Sequence, residues 1–240
     1  MKNDFKNILK KHAKSFYFAG LLLEKQTLND AAILYAFCRQ LDDAADNNDP
    51  DKSNELKNLI QDYRQPISLN PINQSFKKIQ IKYGLKQKFI DDLILGVSSD
   101  TNFKQPQNLQ ELLLYSYQVA GTVGALMTRV LGANHQNAER FAIDLGIGMQ
   151  LTNISRDIKE DSLNNRIYIP RDMLPNDCSL GNILNDRNKE CIFNATNRIL
   201  NIAEKYYEPE RDFVYFENDY DLKNKIDHVL QNWESYQEVI

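Results

Sequence analysis

Six acidic residues in two short segments are the side chains in this sequence best suited to chemistry. They are Asp42, Asp43 and Asp46 in LYAFCRQLDDAADNND, and Asp157, Glu160 and Asp161 in MQLTNISRDIKED. In each segment the outer aspartates are four residues apart, so they share one face of a helix. Carboxylates that face each other repel and are costly to bury without a cation. Because oxygen ligands suit hard cations, the two faces predict a site for Mg²⁺, with Mn²⁺ as the alternative ion.

The first segment brings a cation of its own. Arg39 lies three residues before Asp42 and four before Asp43, so it borders the acidic face. Small Ala44 and Ala45 leave this face open. The alternative is a solvated helix face with an ordinary intrahelical Arg–Asp pair, worth only a few tenths of a kcal/mol.

The second segment continues a polar stripe. Gln150, Asn153, Asp157 and Asp161 recur at helical spacing, opposite apolar residues such as Leu151. Such a stripe favours a binding face, and a polar outer surface is the alternative. The two segments together favour the metal site.

Glycines interrupt the helical pattern close to the second segment. They are Gly121, Gly124, Gly146 and Gly148. Each costs about 1 kcal/mol relative to Ala inside a helix. Close helix packing and a kinked helix that lines a deep pocket are both sufficient reasons.

Two further places offer groups that bind phosphate. Arg166, in NRIYIP, follows the second acidic segment on a predicted loop and suits bidentate contact with a phosphate. Lys14 and Ser15 offer a cation and a hydroxyl near a predicted helix end. Both places are also explained as ordinary surface.

Metal, arginine and lysine together predict a diphosphate held by bridging Mg²⁺. A departing diphosphate leaves a carbocation, which needs an apolar, aromatic-lined cavity without water. The candidates for this lining, each of which is equally explained as core packing, are Phe16, Phe18, Tyr35, Phe37, Tyr115 and Tyr117.

The pattern is helical almost throughout and predicts one all-α domain over residues 1–240. The predicted helices are Asn3–Lys14, Leu28–Asn47, Ser53–Tyr63, Ile72–Lys82, Lys86–Ser98, Leu109–Leu131, Gln136–Glu160, Leu180–Tyr207 and Leu222–Gln237. No segment alternates with the period of a strand. Asn108 with Glu111 resembles a capping box, and Asn29, Ser53 and Ser179 are further candidate N-caps.

Composition narrows the functional class. A net charge of −4 argues against a nucleic-acid partner. Three cysteines without ligand spacing indicate a reducing compartment, so we expect a cytoplasmic protein. No apolar run is long enough to span a membrane. The lysine-flanked, amphipathic N-terminus leaves peripheral membrane contact open, as a route for releasing an apolar product.

Five motifs resemble the squalene/phytoene synthase family of head-to-head prenyltransferases. They are HAKSFYFA, CRQLDDAAD, VAGTVG, QLTNISRDIKED and NRIYIP, in that order between Lys11 and Leu174. The resemblance implies a single-domain, all-α isoprenoid-synthase-type bundle around a central cavity. It also implies condensation of two farnesyl or geranylgeranyl diphosphates through a cyclopropylcarbinyl diphosphate. The form of the first acidic motif is similar to the branch that does not consume NADPH.

The resemblance also implies roles for individual residues. The metal ligands would be Asp42, Asp43, Asp46, Asn153, Asp157 and Asp161. The diphosphate contacts would be Lys14, Ser15, Arg39, Arg156 and Arg166. Tyr35, Gln150 and Tyr168, together with Phe16 and Tyr117, would line the substrate site. The catalytic set would be Tyr35, Arg39, Asp42, Asp46, Asp157 and Asp161.

The sequence departs from the family pattern after about residue 205. The acidic, tyrosine-rich end does not align with the closing helix that family members carry. This departure leaves open a non-catalytic assembly protein of the same family. A terpene cyclase or head-to-tail synthase, which also uses aspartate-rich helices, is the other alternative.

Overall fold

The computed structural model describes residues 5–46 and 54–207, and within these ranges the chain contains helices and no strand. The α-helices are α1 Phe5–His12, α2 Lys14–Gly20, α3 Lys25–Ala45, α4 Glu55–Arg64, α5 Pro71–Tyr83, α6 Gln87–Ser99, α7 Leu109–Ser116, α8 Thr122–Val130, α9 Ala138–Arg156, α10 Ile158–Leu163 and α11 Lys189–Tyr207. Short 3₁₀ turns lie at Asp100–Asn102, Arg171–Met173 and Asp186–Asn188. The predicted all-α class is confirmed.

Helix α3 carries the first acidic segment and is held by its apolar face. Leu34, Phe37 and Leu41 recur at helical spacing, and each is at most 1% exposed. Phe37 stacks on Phe76 of α5, with ring centroids 3.7 Å apart. This buried stripe fixes the rotation of α3 and leaves Arg39 and Asp42 partly exposed and Asp43 exposed.

Helix α9 leads into the second acidic segment and lies beside a second apolar cluster. Leu151 and Ile154 of α9 pack in this cluster with Ile199 of α11. Partly buried Ile143 packs against both clusters. The helix that precedes the acidic residues is therefore anchored in the core on the side opposite Gln150 and Asn153.

Two of the predicted long helices are interrupted. The predicted helix Gln136–Glu160 breaks at Asp157, between α9 and α10. The predicted helix Leu109–Leu131 contains a π-helical turn, Tyr117–Gly121, between α7 and α8. Such turns insert one residue into a helix and are frequent at functional sites.

The predicted helix ends are less accurate than the helices themselves. The helix is interrupted at Ala13, between α1 and α2, inside the predicted helix Asn3–Lys14. The prediction of a helix from Leu180 was wrong, since α11 begins at Lys189. Asn29 lies inside α3 and Ser179 precedes a turn, so neither caps a helix. Ser53 and the predicted helix Leu222–Gln237 lie outside the described residues.

The capping prediction at α7 is confirmed. The Asn108 side chain accepts a hydrogen bond from the Glu111 N–H at 3.0 Å. The Glu111 carboxylate in turn accepts one from the Gln107 N–H at 2.8 Å.

Close packing accounts for the helix glycines. A Cβ on Gly124 would lie 2.1 Å from the Ala142 oxygen, and one on Gly146 would lie 2.4 Å from the Ala120 oxygen. The backbones of α8 and α9 therefore approach each other more closely than any side chain allows. The π turn ends at Gly121, so the helix is also irregular here. The kinked helix that lines a deep pocket stays a prediction.

Candidate active site: two acidic segments joined by Arg166

The first acidic segment lies at the last turns of α3. Arg39 pairs with Asp42, Nη1 to Oδ2 at 3.2 Å, and with Asp43. Burial, followed by the charge of Asp46, raises the pKa of Asp42 to about 6. Half-buried Tyr35, one turn earlier, has a pKa raised mainly by burial and also feels the charges of Arg39 and Asp42. The predicted first cluster is therefore assembled on one helix.

The second acidic segment keeps its direction across the break in the helix. The backbone N–H of Asp157 donates to the backbone oxygen of Asn153 at 2.9 Å, and the backbone N–H of Asp161 donates to the backbone oxygen of Asp157 at 2.8 Å. Arg156 pairs with Asp157 through two bonds of 2.7 Å. Burial and then the Asp157 charge raise the pKa of Asp161 to about 6. The four-residue spacing of the aspartates is therefore preserved.

Arg166 connects the two segments. The backbone N–H of Arg166 donates to the backbone oxygen of Asp161 at 2.9 Å. Its guanidinium forms an ion pair with the Asp46 carboxylate and donates to the backbone oxygen of Ala45 at 3.4 Å. The side chain is only 12% exposed. Burial opposes its charge, but the hydrogen bond to Asp46 and nearby anions raise the guanidinium pKa above its ordinary value. Arg166 therefore contacts the second segment through its backbone and the first segment through its side chain.

A left-handed residue directs Arg166 into this position. Asn165 has φ 61°, a conformation that Asn tolerates better than most residues. It follows α10 and reverses the chain, so that Arg166 returns along the helix toward Asp161.

Asp100 is the residue of the site that the sequence reading missed. It is buried, and its two carboxylate oxygens accept hydrogen bonds of 2.9 Å from the hydroxyls of Tyr115 and Tyr168. The two rings stack with centroids 5.0 Å apart. The Asp100 charge contributes to the raised pKa values of both Asp42 and Asp161. The Arg166 guanidinium also donates to the Asp100 backbone oxygen, at 3.3 Å.

No local signal marks Asp100 in the sequence. It follows α6 in a polar stretch that is typical of a helix end, and it has no acidic partner at helical spacing. Its role becomes visible only through Tyr168, which lies 68 residues further along the chain.

The remaining predicted site residues are distributed unevenly. Gln150 and Asn153 are half-buried on α9, on the stripe that leads to Asp157. Lys14, Ser15 and Phe16 are exposed in the first turn of α2. These substrate contacts remain predictions.

Two aromatic candidates have other neighbours. The Tyr117 hydroxyl donates to Asp92 of α6 at 2.8 Å, so its described contacts lie on the α6 side rather than at the acidic segments. Phe37 is fully buried against Phe76 in the core.

A pocket of about 390 Å³ opens beside Asp100, Tyr115 and Tyr168. Phe103, whose ring meets Tyr168 edge-on at 4.9 Å, belongs to the same wall. Aromatic surface therefore adjoins the acidic centre through Asp100.

Oxygen atoms are the ligands that this centre offers to a metal ion. Within residues 5–46 and 54–207 no group of three or more His, Cys, Asp or Glu side chains is already gathered as an ion site. These carboxylates form ion pairs with arginines: Asp42 and Asp43 with Arg39, Asp46 with Arg166, and Asp157 with Arg156. Carboxylates and arginines in alternation can bind a cation and a polyanion together.

Comparison with known proteins identifies the family. The chain matches the family described as squalene/phytoene synthase over residues 9–218. It is 30% identical over 209 residues to a 15-cis-phytoene synthase of Enterobacter agglomerans, which covers 81% of this chain and 71% of the relative. A 15-cis-phytoene synthase of a Paracoccus species is 30% identical over 213 residues, covering 83% and 69%.

Solved structures agree with this match. A dehydrosqualene synthase in complex with ligand has a TM-score of 0.71 at 27% identity and covers 85% of this chain and 73% of its own. A squalene synthase from Alicyclobacillus acidocaldarius has a TM-score of 0.68 at 20% identity, covers 84% and 81%, and supports the fold alone. Motifs, helical fold and relatives together show that this chain belongs to the squalene/phytoene synthase family, the prenyltransferases that condense prenyl diphosphates head to head.

Proposed function

We propose that this protein condenses two molecules of farnesyl or geranylgeranyl diphosphate with Mg²⁺, or Mn²⁺ in its place, through a cyclopropylcarbinyl diphosphate. We expect no requirement for NADPH. The observation that carries the proposal is the bridge by Arg166, which joins Asp46 on one acidic segment to the Asp161 backbone on the other. Two segments joined in this way act as one diphosphate centre.

The side chains present fit a divalent cation. The ligands would all be oxygen atoms, from Asp42, Asp43, Asp46, Asn153, Asp157 and Asp161. The pKa values of Asp42 and Asp161 are each about 6, raised by burial and by neighbouring carboxylates. This means that the site favours added positive charge. When bound, Mg²⁺ supplies neutralisation of the charge on the leaving diphosphate.

The arginines would hold the substrate diphosphate. Arg39 and Arg166 now pair with carboxylates that a metal ion would take over. Arg39 Nε is buried and lacks a hydrogen-bond acceptor among the described residues. An unsatisfied buried donor is unfavourable, so movement of Arg39 toward a phosphate oxygen would remove this cost.

The aromatic residues would protect the cation left behind. Asp100 fixes the hydroxyls of Tyr115 and Tyr168 and so fixes the stacked rings. Fixed aromatic faces stabilise positive charge and exclude water that would otherwise capture it.

Free thiols support a cytoplasmic location, which is part of the proposal. Cys38, Cys178 and Cys191 are unpaired. Burial raises the pKa of Cys38 to about 12, so this thiol is unreactive at neutral pH.

Product analysis tests the proposal. The purified full chain is incubated with farnesyl or geranylgeranyl diphosphate and Mg²⁺, with and without NADPH, and the organic extract is analysed by mass spectrometry. We expect a head-to-head hydrocarbon from one of the two substrates, with the cyclopropylcarbinyl diphosphate accumulating at short times, and no change on adding NADPH.

Matched variants complete this experiment. Asp42→Asn and Asp161→Asn should abolish the product. Asp144→Asn is the control, since burial also raises the pKa of Asp144 but its ionic neighbour is Arg140, away from Arg166. A cyclic or chain-extended product, or full activity in both site variants, contradicts the proposal.

A further inference from the structure

The loop between α4 and α5, residues 65–70, holds two large aliphatic side chains in solvent. Ile67 is 82% exposed and Leu69 is 84% exposed. A single exposed Leu or Ile is ordinary on a protein surface. Two such residues, separated only by buried Ser68, form an apolar tip on this loop.

The apolar tip is held by a framework of polar contacts. Asp62, near the end of α4, accepts hydrogen bonds from the Leu69 N–H at 2.7 Å, from the Asn70 N–H at 3.3 Å and from the Ser68 hydroxyl. The Gln74 side chain donates to the backbone oxygen of Ser68 at 2.7 Å. The loop therefore has a defined conformation, and this conformation keeps both aliphatic side chains outside.

The hairpin that carries the apolar tip is basic. Glu55–Lys82 has five basic residues and two acidic ones, in a chain whose net charge is −4, although Lys82, at the far end of α5, pairs with Asp30. Lys57, Arg64 and Lys78 are exposed, and Lys77 donates to the Gln65 oxygen within the loop itself. The two acidic residues of the hairpin are Glu55 and Asp62, and Asp62 is engaged by the loop.

The N-terminal segment is less suited to a membrane than its sequence indicated. The apolar side chains Phe5 and Leu9 of α1 are only 8% and 4% exposed, because they pack in the first core cluster. Its apolar face is therefore covered. No described helix is apolar over a sufficient length to cross a bilayer.

We propose that the α4–α5 hairpin docks this protein on membranes that contain anionic lipid. Ile67 and Leu69 enter the interface, and Lys57, Arg64, Lys77 and Lys78 face the headgroups. Aliphatic tips combined with basic residues are the chemistry that such a surface recognises. Asn73 of the hairpin accepts a hydrogen bond from Gln40 of α3 at 2.7 Å, so docking would bring the helix of the first acidic segment close to the lipid.

Vesicle sedimentation tests the docking. The full chain is mixed with phosphatidylcholine vesicles, with and without phosphatidylglycerol. We expect binding to the anionic vesicles and roughly tenfold weaker binding for each aliphatic side chain lost in Ile67→Ser/Leu69→Ser. Arg64→Gln/Lys78→Gln should weaken binding to anionic vesicles only.

Ile81→Ser is the matched control. Ile81 is 84% exposed on the same hairpin but lies ten residues beyond the start of α5, roughly 15 Å away along the helix. Its replacement should leave vesicle binding unchanged. Equal binding by wild type and by Ile67→Ser/Leu69→Ser, or equal binding to neutral and anionic vesicles, overturns the proposal.

A second measurement excludes a protein partner on the same tip. Trp233 is the single tryptophan of the sequence and is first replaced by Phe. In this background, Leu69→Trp reports insertion by a fluorescence blue shift and by quenching from brominated lipid. Self-association that disappears in Ile67→Ser/Leu69→Ser, without insertion of the introduced indole into lipid, overturns the proposal in favour of a second copy of the chain. Activity on dissolved substrate should be the same in wild type and Ile67→Ser/Leu69→Ser, so failure of the docking and failure of the proposed reaction are distinguishable.

Discussion

The two acidic segments have the same proposed role, but different parts of the structure hold them in place. α3 runs unbroken for 21 residues to Ala45, and Leu41, Ala44 and Ala45 are buried around its aspartates. α9 ends at Arg156, and the short α10 that follows has no buried residue. The first segment is therefore positioned by its own helix and the core. The position of the second segment depends on contacts with residues outside α9 and α10.

This support comes from distant parts of the chain. Arg166 ties the second segment to Asp46, and Tyr168, two residues later, is bonded to Asp100. The comparison indicates that a rigid helix can carry one half of the proposed diphosphate centre, while long-range polar contacts place the other half. Variants should therefore affect the two halves unequally.

Among variants that test the support of the two segments, the largest effect is expected from Arg166→Gln. It removes the bridge and leaves Asp46 without its cation, so we expect kcat/KM to fall about 10²–10³-fold. Hydrogen exchange should rise in α10 and leave the end of α3 unchanged. Arg39→Gln is the comparison, since it should lower activity without increasing exchange in α10. Equal exchange in α10 for both variants contradicts the difference in support.

Asp100→Asn should have the next largest effect, about 10-fold or more on kcat/KM. The amide cannot accept from both tyrosine hydroxyls at two equivalent oxygens, so the stacked pair loses one anchor. Because Asp100 helps to raise the pKa values of Asp42 and Asp161, its loss lowers both. The acid limb of the pH profile should therefore move to lower pH.

Tyr115→Phe and Tyr168→Phe serve as controls for Asp100→Asn. Each removes one hydroxyl and keeps the Asp100 charge, so neither should move the acid limb downward. An acid limb that stays in place in Asp100→Asn would show that this carboxylate is not coupled to the centre.

A smaller, purely structural effect is expected from Gly146→Ala. The new methyl group would lie 2.4 Å from the Ala120 oxygen, which is backbone and cannot yield easily. We expect a loss of about 1–3 kcal/mol in the free energy of unfolding, measured with urea. Gly181→Ala is the control, because nothing lies within 4 Å of a Cβ there. Equal stability of both variants contradicts the close packing of the helices.

The smallest effect is a gain in stability from Asp42→Asn. The folded pKa of about 6 lies above the ordinary value of 3.8. The folded state therefore gains stability below pH 4 and loses it as the pH rises through 6. At pH 7.5 without metal, the variant should melt slightly higher, by at most about 4 °C, because the half-exposed side chain is screened by water.

The pH dependence checks this gain in Asp42→Asn. The difference in melting temperature should shrink as the pH falls through 6 and vanish well below pH 4, where Asp42 is protonated in both the folded and the unfolded state. A variant that melts lower than wild type at pH 7.5 would show that the Arg39 pair outweighs the repulsion.

The sequence predicted the parts of the site that are encoded locally. Asp42 and Asp46 follow from helix periodicity, and the predicted second segment survived a helix break because the backbone hydrogen bond from Asp161 to Asp157 persists. Asn108 was recognisable as a cap for the same reason. Asp100 could not be found, because its partners are Tyr115 and Tyr168 rather than its neighbours. The π turn at Tyr117–Gly121 likewise reflects packing against α6 and α9.

Magnesium-dependent binding of an unreactive farnesyl thiodiphosphate tests most directly whether the two segments form one centre. Its dissociation constant is measured by calorimetry for wild type, Asp46→Asn, Asp161→Asn and the double variant. We expect each single variant to weaken binding and the double variant to be little worse than either, a coupling of about 1 kcal/mol or more. Strictly additive losses, or binding that one of the two variants leaves intact, would contradict a shared centre.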